Sequence, residues 1–497
     1  MGLPMVSSPI RSLVPLRPSF LDACPPCHEI GAFVLLLMLS LCSPASARAQ
    51  SFVKSSGVNR QFPSGFLWGT ATAAHQVEGG NTLNDWFDWE QIPGKIRNGE
   101  RSGNAADHWN LYSEDLDRAQ ALGCSVYRFS IEWSRIEIEP GIFDGDAIDH
   151  YRKVILACRA RHMEPMVTLF HFTLPRWFAA SGGFETKGSV ALFEKFAVRM
   201  GKEYGDIVDL WNTQNEPMVW LLAAYGSDVF PPGKASPLKM AQVLTHLISA
   251  HAKGYRALHA HDRTDANGDG HACQVGIAKH MRVFQPHREQ HPGDRSMTQI
   301  ADTAMNWMYL DAVTRGNAWF RWPGVDGFPL PGRELLGTLD FIGLNYYSRD
   351  LVHFNPTAPG FFERRVARGA PTTDLGWEIY PEGMYDILVR LKDYNLPIYI
   401  TENGLADDAG TQRVSFIHDH LDAVLRAIDD GVDVRGYIHW SLMDNFEWAE
   451  GFSPRFGLYK VDYSTQERSL TEGGAYFKAI ATSNSLLPPG EKAEHAR

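Results

Sequence analysis

Eight short runs rich in β-branched and aromatic residues recur along the chain, at 65–72, 125–131, 165–170, 208–213, 274–278, 340–345, 397–401 and 434–440. The stretches between them are longer, and segments such as 111–122, 193–204 and 414–430 carry apolar residues at the spacing of a helix buried on one face. A helix after each strand returns the chain to the end it started from, so successive strands pair in parallel. Eight such units close a sheet on itself. The predicted fold class is therefore α/β, a single (β/α)8 TIM barrel. No Pro/Ser-rich linker, low-complexity block or short repeat interrupts residues 51–497, which read as one domain.

In such a barrel the reacting groups sit where the strands end. The sequence places His75, Gln76 and Glu78 after the first strand, Arg128 near the end of the second, His171 after the third, and Asn215 and Glu216 after the fourth. Asn345 and Tyr347 end the sixth, Glu402 the seventh, and Trp440, Glu447 and Trp448 follow from the eighth. The fifth offers nothing obvious. This pattern points to an enzyme more than to a scaffold. The 58 acidic residues outnumber the 47 basic ones and no block of like charge stands out, which argues against a nucleic-acid partner. Aromatic residues make up 12% of the chain, a mild lean toward stacking on a flat ligand such as a sugar ring.

Residues 1–50 read as a leader. The nearly uninterrupted apolar run at 30–42 is shorter than the roughly 20 residues a membrane helix needs, and small residues with an A-x-A pattern at Ala45–Ala47 follow it. The expected protein is exported, to the periplasm or the medium, with no membrane segment in its mature form. Cys24, Cys27 and Cys42 fall in this leader; Cys124, Cys158 and Cys273 in the body are expected to be buried free thiols.

Two carboxylates stand out. Glu216 ends the fourth strand in W-N-T-Q-N-E-P, and Glu402 ends the seventh in Y-I-T-E-N-G. Strands four and seven face each other across the mouth of an eight-stranded barrel, so two carboxyls there can flank one sugar, as cleavage of a glycosidic bond requires.

The body is similar to glycoside hydrolase family 1, the β-glucosidase family of clan A. T-Q-N-E-P resembles the family's acid/base motif and I-T-E-N-G its nucleophile motif. The similarity continues through F-P-S-G-F-L-W-G-T-A-T-A-A-H-Q-V-E-G, Y-R-F-S-I-E-W-S-R-I, T-L-F-H-F-T-L-P-R-W, D-F-I-G-L-N-Y-Y-S, H-W-S-L-M-D-N-F-E-W and R-F-G-L-Y-K-V-D, from about Phe62 to Asp462. The resemblance implies a retaining β-glycosidase. Glu402 would be the nucleophile, supported by Arg128, Asn345 and Tyr347. Glu216 would be the acid/base, with a raised pKa and a carboxyl about 5–5.5 Å from its partner.

The resemblance further implies a sugar pocket in which Gln76 and Glu447 hold outer hydroxyls, His171 and Asn215 inner ones, Trp440 stacks beneath the ring and Trp448 adds a donor. The expected substrates are short β-linked glucosides, of the kind cellulose degradation releases, or aryl and alkyl glucosides. Galactose, fucose and mannose remain open as alternatives, as does a carbohydrate-binding barrel without turnover. An intact Glu447 favours an unphosphorylated sugar. The sequence departs from the family at Gln214 and at Phe172-Thr173, all expected to border the pocket. No cofactor or metal is expected. D-A-N-G-D-G at 265–270 lacks the twelfth-position ligand of a calcium loop and reads as a polar turn. His280, His287, His291, His418 and His420 lack metal-ligand spacing. The aglycone side would be built from 225–233 and 306–331.

Overall fold

The computed structural model describes residues 60–490 apart from 317–318, 323–324 and 330–331. The leader expected over residues 1–50 lies outside them, as does part of the expected aglycone segment. The described residues fall in one compact unit. All eight expected strands form: β1 (Leu67–Ala71), β2 (Val126–Ser130), β3 (Glu164–Phe170), β4 (Leu210–Asn215), β5 (Gln274–Pro286), β6 (Ile342–Phe354), β7 (Ile398–Asn403) and β8 (Val434–Trp440). Each pairs in parallel with the next in the chain, and β8 pairs with β1 to close the barrel.

Helices α1 (His108–Ala121), α2 (Gly145–Ala160), α3 (Ser189–Tyr204), α4 (Pro237–His261), α5 (Pro292–Asp302), α6 (Glu382–Leu391), α7 (Arg413–Asp429) and α8 (Glu472–Ser483) surround the sheet. The buried face of α3, with Phe193, Phe196, Ala197, Met200 and Tyr204, has the three- and four-residue spacing that lets one helix side dock on a sheet. Phe196 lies flat on Trp133, ring centres 4.7 Å apart. α5 continues through a π-helical turn at Thr303–Trp307, whose Asn306 clasps the backbone of Arg282 on β5 from both sides.

Ala71, Val126, Met166, Leu210, Ile438 and Trp440 fill the barrel interior, and a larger apolar layer separates sheet from helices. Cys124, Cys158 and Cys273 are buried free thiols. Among the described residues no helix is long and apolar enough to cross a membrane.

Three strands lose their regular register just before the barrel mouth, at Asn212/Asn215, Leu344/Asn345 and Ile400/Asn403. Such irregularities re-aim side chains, and they cluster next to active sites. On β4, Thr213 and Gln214 both turn outward to α4, bonding His251 and the Leu247 carbonyl, and the next residue, Asn215, turns into the barrel. Gln214 therefore lies in the helix layer, bonded also to Tyr309, and does not border the pocket as expected. At the end of β7, Gly404 lets two strands approach closely: a Cβ there would sit 1.8 Å from the Trp440 carbonyl oxygen. Asn403 donates to the Tyr346 carbonyl and accepts from Tyr437, tying β7 to both neighbours.

Candidate active site

The strand ends bring Glu216 and Glu402 into one hydrogen-bond network. Arg128, buried at the end of β2, donates to Oε1 of Glu402 at 2.5 Å and to Asn215 Oδ1 at 2.6 Å. Tyr347 donates its hydroxyl to Oε2 of Glu402 at 2.7 Å. Asn345 accepts from Thr401 and donates to Oε1 of Glu216 at 2.8 Å. It also reaches Asn215 at 3.2 Å. Asn345 thus meets Glu216 rather than supporting Glu402 directly, a refinement of its expected role. Phe172, Glu216 and Trp448 all have positive φ, at 71°, 43° and 52°. Three non-glycine residues in that region, each costing roughly 1–3 kcal/mol, mark a mouth held in shape by its surroundings.

The fifth strand contributes after all. His280 stands beside Asn345 in the β5–β6 pairing, and its Nδ1 lies 3.3 Å from Oε1 of Glu216. Its Nε2 accepts from Arg282 Nε at 3.1 Å, and Arg282 is paired with Asp350 at 2.7 Å. Sequence reasoning weighed His280 only as a metal ligand. The signal it missed is the position of His280 two residues past the level of Ala278, whose carbonyl accepts from the Glu216 amide.

Burial is the largest influence on both carboxyls. It pushes Glu402 up to about 7 against the opposing charge of Arg128, with the negative charge of Glu216 adding to the rise. At Glu216 burial is outweighed by the charge and hydrogen bond of His280, then by Asn345 and Arg128, which together hold the carboxyl below its ordinary value. This is the reverse of the expected division, and it depends on His280 carrying a charge. Burial holds His280 below its own ordinary value, and the Arg282 N–H aimed at Nε2 requires an acceptor there. A neutral His280 gives Glu216 a hydrogen bond without a charge, while Arg128 remains a fixed cation beside Glu402. In that state Glu216 loses the largest influence that lowers it, whereas Arg128 still opposes the rise at Glu402.

The expected pocket residues come together around this pair. Gln76 donates to Glu447 at 3.1 Å and to Asn445 at 2.8 Å, and its buried side-chain oxygen has no partner among the described residues. Burial, then the charge of Glu402, pushes Glu447 up to about 8. Asn215 donates to Nε2 of His171 at 3.1 Å, and burial followed by Arg128 keeps that imidazole neutral. Trp440 and Trp448 both stack on His171, with ring centres 6.0 Å away. Phe172 packs on Trp448 and Phe230 at the same edge. Thr173 turns aside to donate to Glu132. His75 and Glu78 stand apart from the pair: His75 lies against Asn84 beneath Trp448, and Glu78 anchors Arg135 and Tyr151.

Elsewhere, Asp265 spends its carboxylate on the amides of Gly268, Asp269 and Gly270, which makes the 265–270 segment a polar turn. The fold also gathers His287, Asp294 and His353, with ligand atoms within 4.8 Å of one another. Asp294, however, is engaged by the Arg288 guanidinium and by the Phe354 amide.

The family model described as glycosyl hydrolase family 1 matches residues 58–486. "Beta-glucosidase A" of Thermotoga maritima is 34% identical over 450 residues, spanning 86% of this chain and 99% of that protein. "Beta-galactosidase" of Saccharolobus solfataricus is 32% identical over 487 residues, spanning 86% and 96%. Among solved structures, a beta-glycosidase from Pyrococcus horikoshii superposes with a TM-score of 0.78 at 40% identity, covering 86% of this chain and 96% of its own. The Thermotoga maritima beta-glucosidase in complex with glucoimidazole gives 0.77 at 32%, covering 86% and 99%.

Proposed function

The chain belongs to glycosyl hydrolase family 1, and on that premise we propose that it is a β-glucosidase working by double displacement, with Glu402 as nucleophile and Glu216 as acid/base. The observation that carries this reading is the unequal support of the two carboxyls: Glu402 faces a permanent cation and a phenol, whereas Glu216 faces an amide and an imidazole. In the first step a carboxylate oxygen of Glu402 bonds to the anomeric carbon. The bond to the leaving oxygen breaks and Glu216 gives that oxygen its proton. In the second step Glu216, now a carboxylate, takes a proton from water. The water oxygen bonds to the anomeric carbon and Glu402 is released.

Support for a gluco-configured sugar comes from the Gln76–Glu447 pair, which offers adjacent donors and acceptors to the outer hydroxyls. The same pair can serve an epimeric hydroxyl, and relatives carry both glucosidase and galactosidase names, so galactosides form the second reading. Hydrolysis of nitrophenyl β-D-glucoside beside the galacto-, fuco- and manno- forms, by residues 51–497 and by Glu402→Ala, tests the proposal. Highest kcat/KM on the glucoside, falling by several orders of magnitude in the variant, supports it. A folded protein that turns over none of the four would instead be a carbohydrate-binding barrel.

The apolar run and A-x-A pattern of the leader support export to periplasm or medium. N-terminal sequencing of protein recovered outside the cytoplasm, against a start at Met1, tests that part.

A further inference from the structure

Glu216 receives two protein donors, and both land on the same oxygen. Asn345 Nδ2 lies 2.8 Å from Oε1 and His280 Nδ1 lies 3.3 Å from it. No other donor among the described residues is directed at Oε2. Because Arg282 Nε–H points at Nε2 of His280, the hydrogen of the neutral imidazole must be on Nδ1, the nitrogen that faces Glu216. Arg282 is held in turn by Asp350, and its backbone by Asn306. The chain Asp350–Arg282–His280–Glu216 is buried throughout.

We propose that His280 is a positioning residue for the acid step: with Asn345 it occupies Oε1 of Glu216, so that the transferable proton resides on Oε2. An oxygen that already accepts two hydrogen bonds is the poorer place for a proton, since a donor there would face two donors. Arg282 fixes the tautomer that makes this possible. The inference rests on the reading of Glu216 as acid/base.

The test is dependence on the leaving group. A dinitrophenolate leaves without a proton, whereas an alcohol needs one, so a fault in proton delivery penalises methyl β-D-glucoside and spares dinitrophenyl β-D-glucoside. His280→Leu is expected to lower kcat/KM on the methyl glucoside by about 10–100-fold, a part of the roughly 100–10,000-fold that general acid catalysis supplies. On the dinitrophenyl substrate, whose leaving group needs no proton, kcat/KM should stay essentially unchanged. His280→Asn, which can return an amide donor toward Oε1, is expected to restore most of the loss.

An equal fall on both substrates, or none on either, overturns the proposal. Should His280→Leu fail to fold, Arg282→Gln, which frees the tautomer, must show the same selective loss; a uniform effect there also overturns it. Glu216→Ala separates the two readings. If Glu216→Ala shows the leaving-group dependence and the His280 variants do not, only the role of His280 falls. If Glu216→Ala lacks it too, the acid/base assignment falls and this inference with it.

Discussion

Arg128 and Glu402 form a buried ion pair, 2.5 Å between nitrogen and oxygen, with both side chains almost fully enclosed. Two barrel strands that are not neighbours, β2 and β7, are therefore joined by charge across the interior. Removing one partner of such a pair strands the other. Arg128→Met is expected to cost about 3–5 kcal/mol of stability, read by urea unfolding. Because Arg128 lowers the Glu402 carboxyl, the acidic limb of kcat/KM should also move to higher pH in the variant. An unmoved limb in a folded variant would argue against Glu402 as the ionised nucleophile.

Tyr347→Phe tests the same carboxylate more gently. The phenol donates to Glu402 Oε2 and lowers its pKa, so its loss again shifts the acidic limb upward. A hydrogen bond to a charged group contributes about 1.5–3 kcal/mol, which corresponds to a drop of roughly 10–100-fold in kcat/KM. Steady-state kinetics across about pH 4–9, a window reaching at least about two units either side of the Glu402 value of about 7, checks both effects.

Gly404→Ala should be far more damaging than its size suggests. The added methyl would meet the Trp440 carbonyl at 1.8 Å, so β7 or β8 must give way, and Glu402 lies two residues upstream on β7. Loss of at least about 2 kcal/mol in unfolding, with activity reduced by an order of magnitude or more, is the expected outcome. Wild-type behaviour on both measures would contradict the close approach.

Glu132 carries a pH signature unrelated to turnover. Burial, with the charge of Glu78 adding to it, pushes the carboxyl up to about 7, although Ser134 and Thr173 donate to it. Its folded value is above its unfolded one, so the protonated form contributes stability that is complete below about pH 4.5 and fades as pH rises through about 7. Glu132→Gln should flatten this decline, with a gain on the order of 1–3 kcal/mol at pH 8 relative to wild type. Thermal unfolding of both proteins at pH 5 and pH 8 distinguishes this from a uniform shift.

Much of the site was legible because a barrel puts reacting groups at strand ends, and strand ends can be read from apolar runs bounded by polar residues. Glu216 and Glu402 emerged that way, and their motifs then matched a family. Gln214 was misread for a definable reason. Strict alternation predicts opposite faces for Thr213 and Gln214, but the irregularity between Asn212 and Asn215 sends both to α4.

The sequence by itself determined the eight-fold alternation, the carboxylate pair and the polar groups around them, since each depends on local pattern and on position along one strand. Tertiary structure alone decided which donors meet which carboxylate oxygen. Asn345 and His280 become neighbours only when β5 and β6 pair in register, and they reach Glu216 only because β4 is adjacent. That register is fixed by closing the sheet, a relation among residues 64 and more positions apart that no local spacing records.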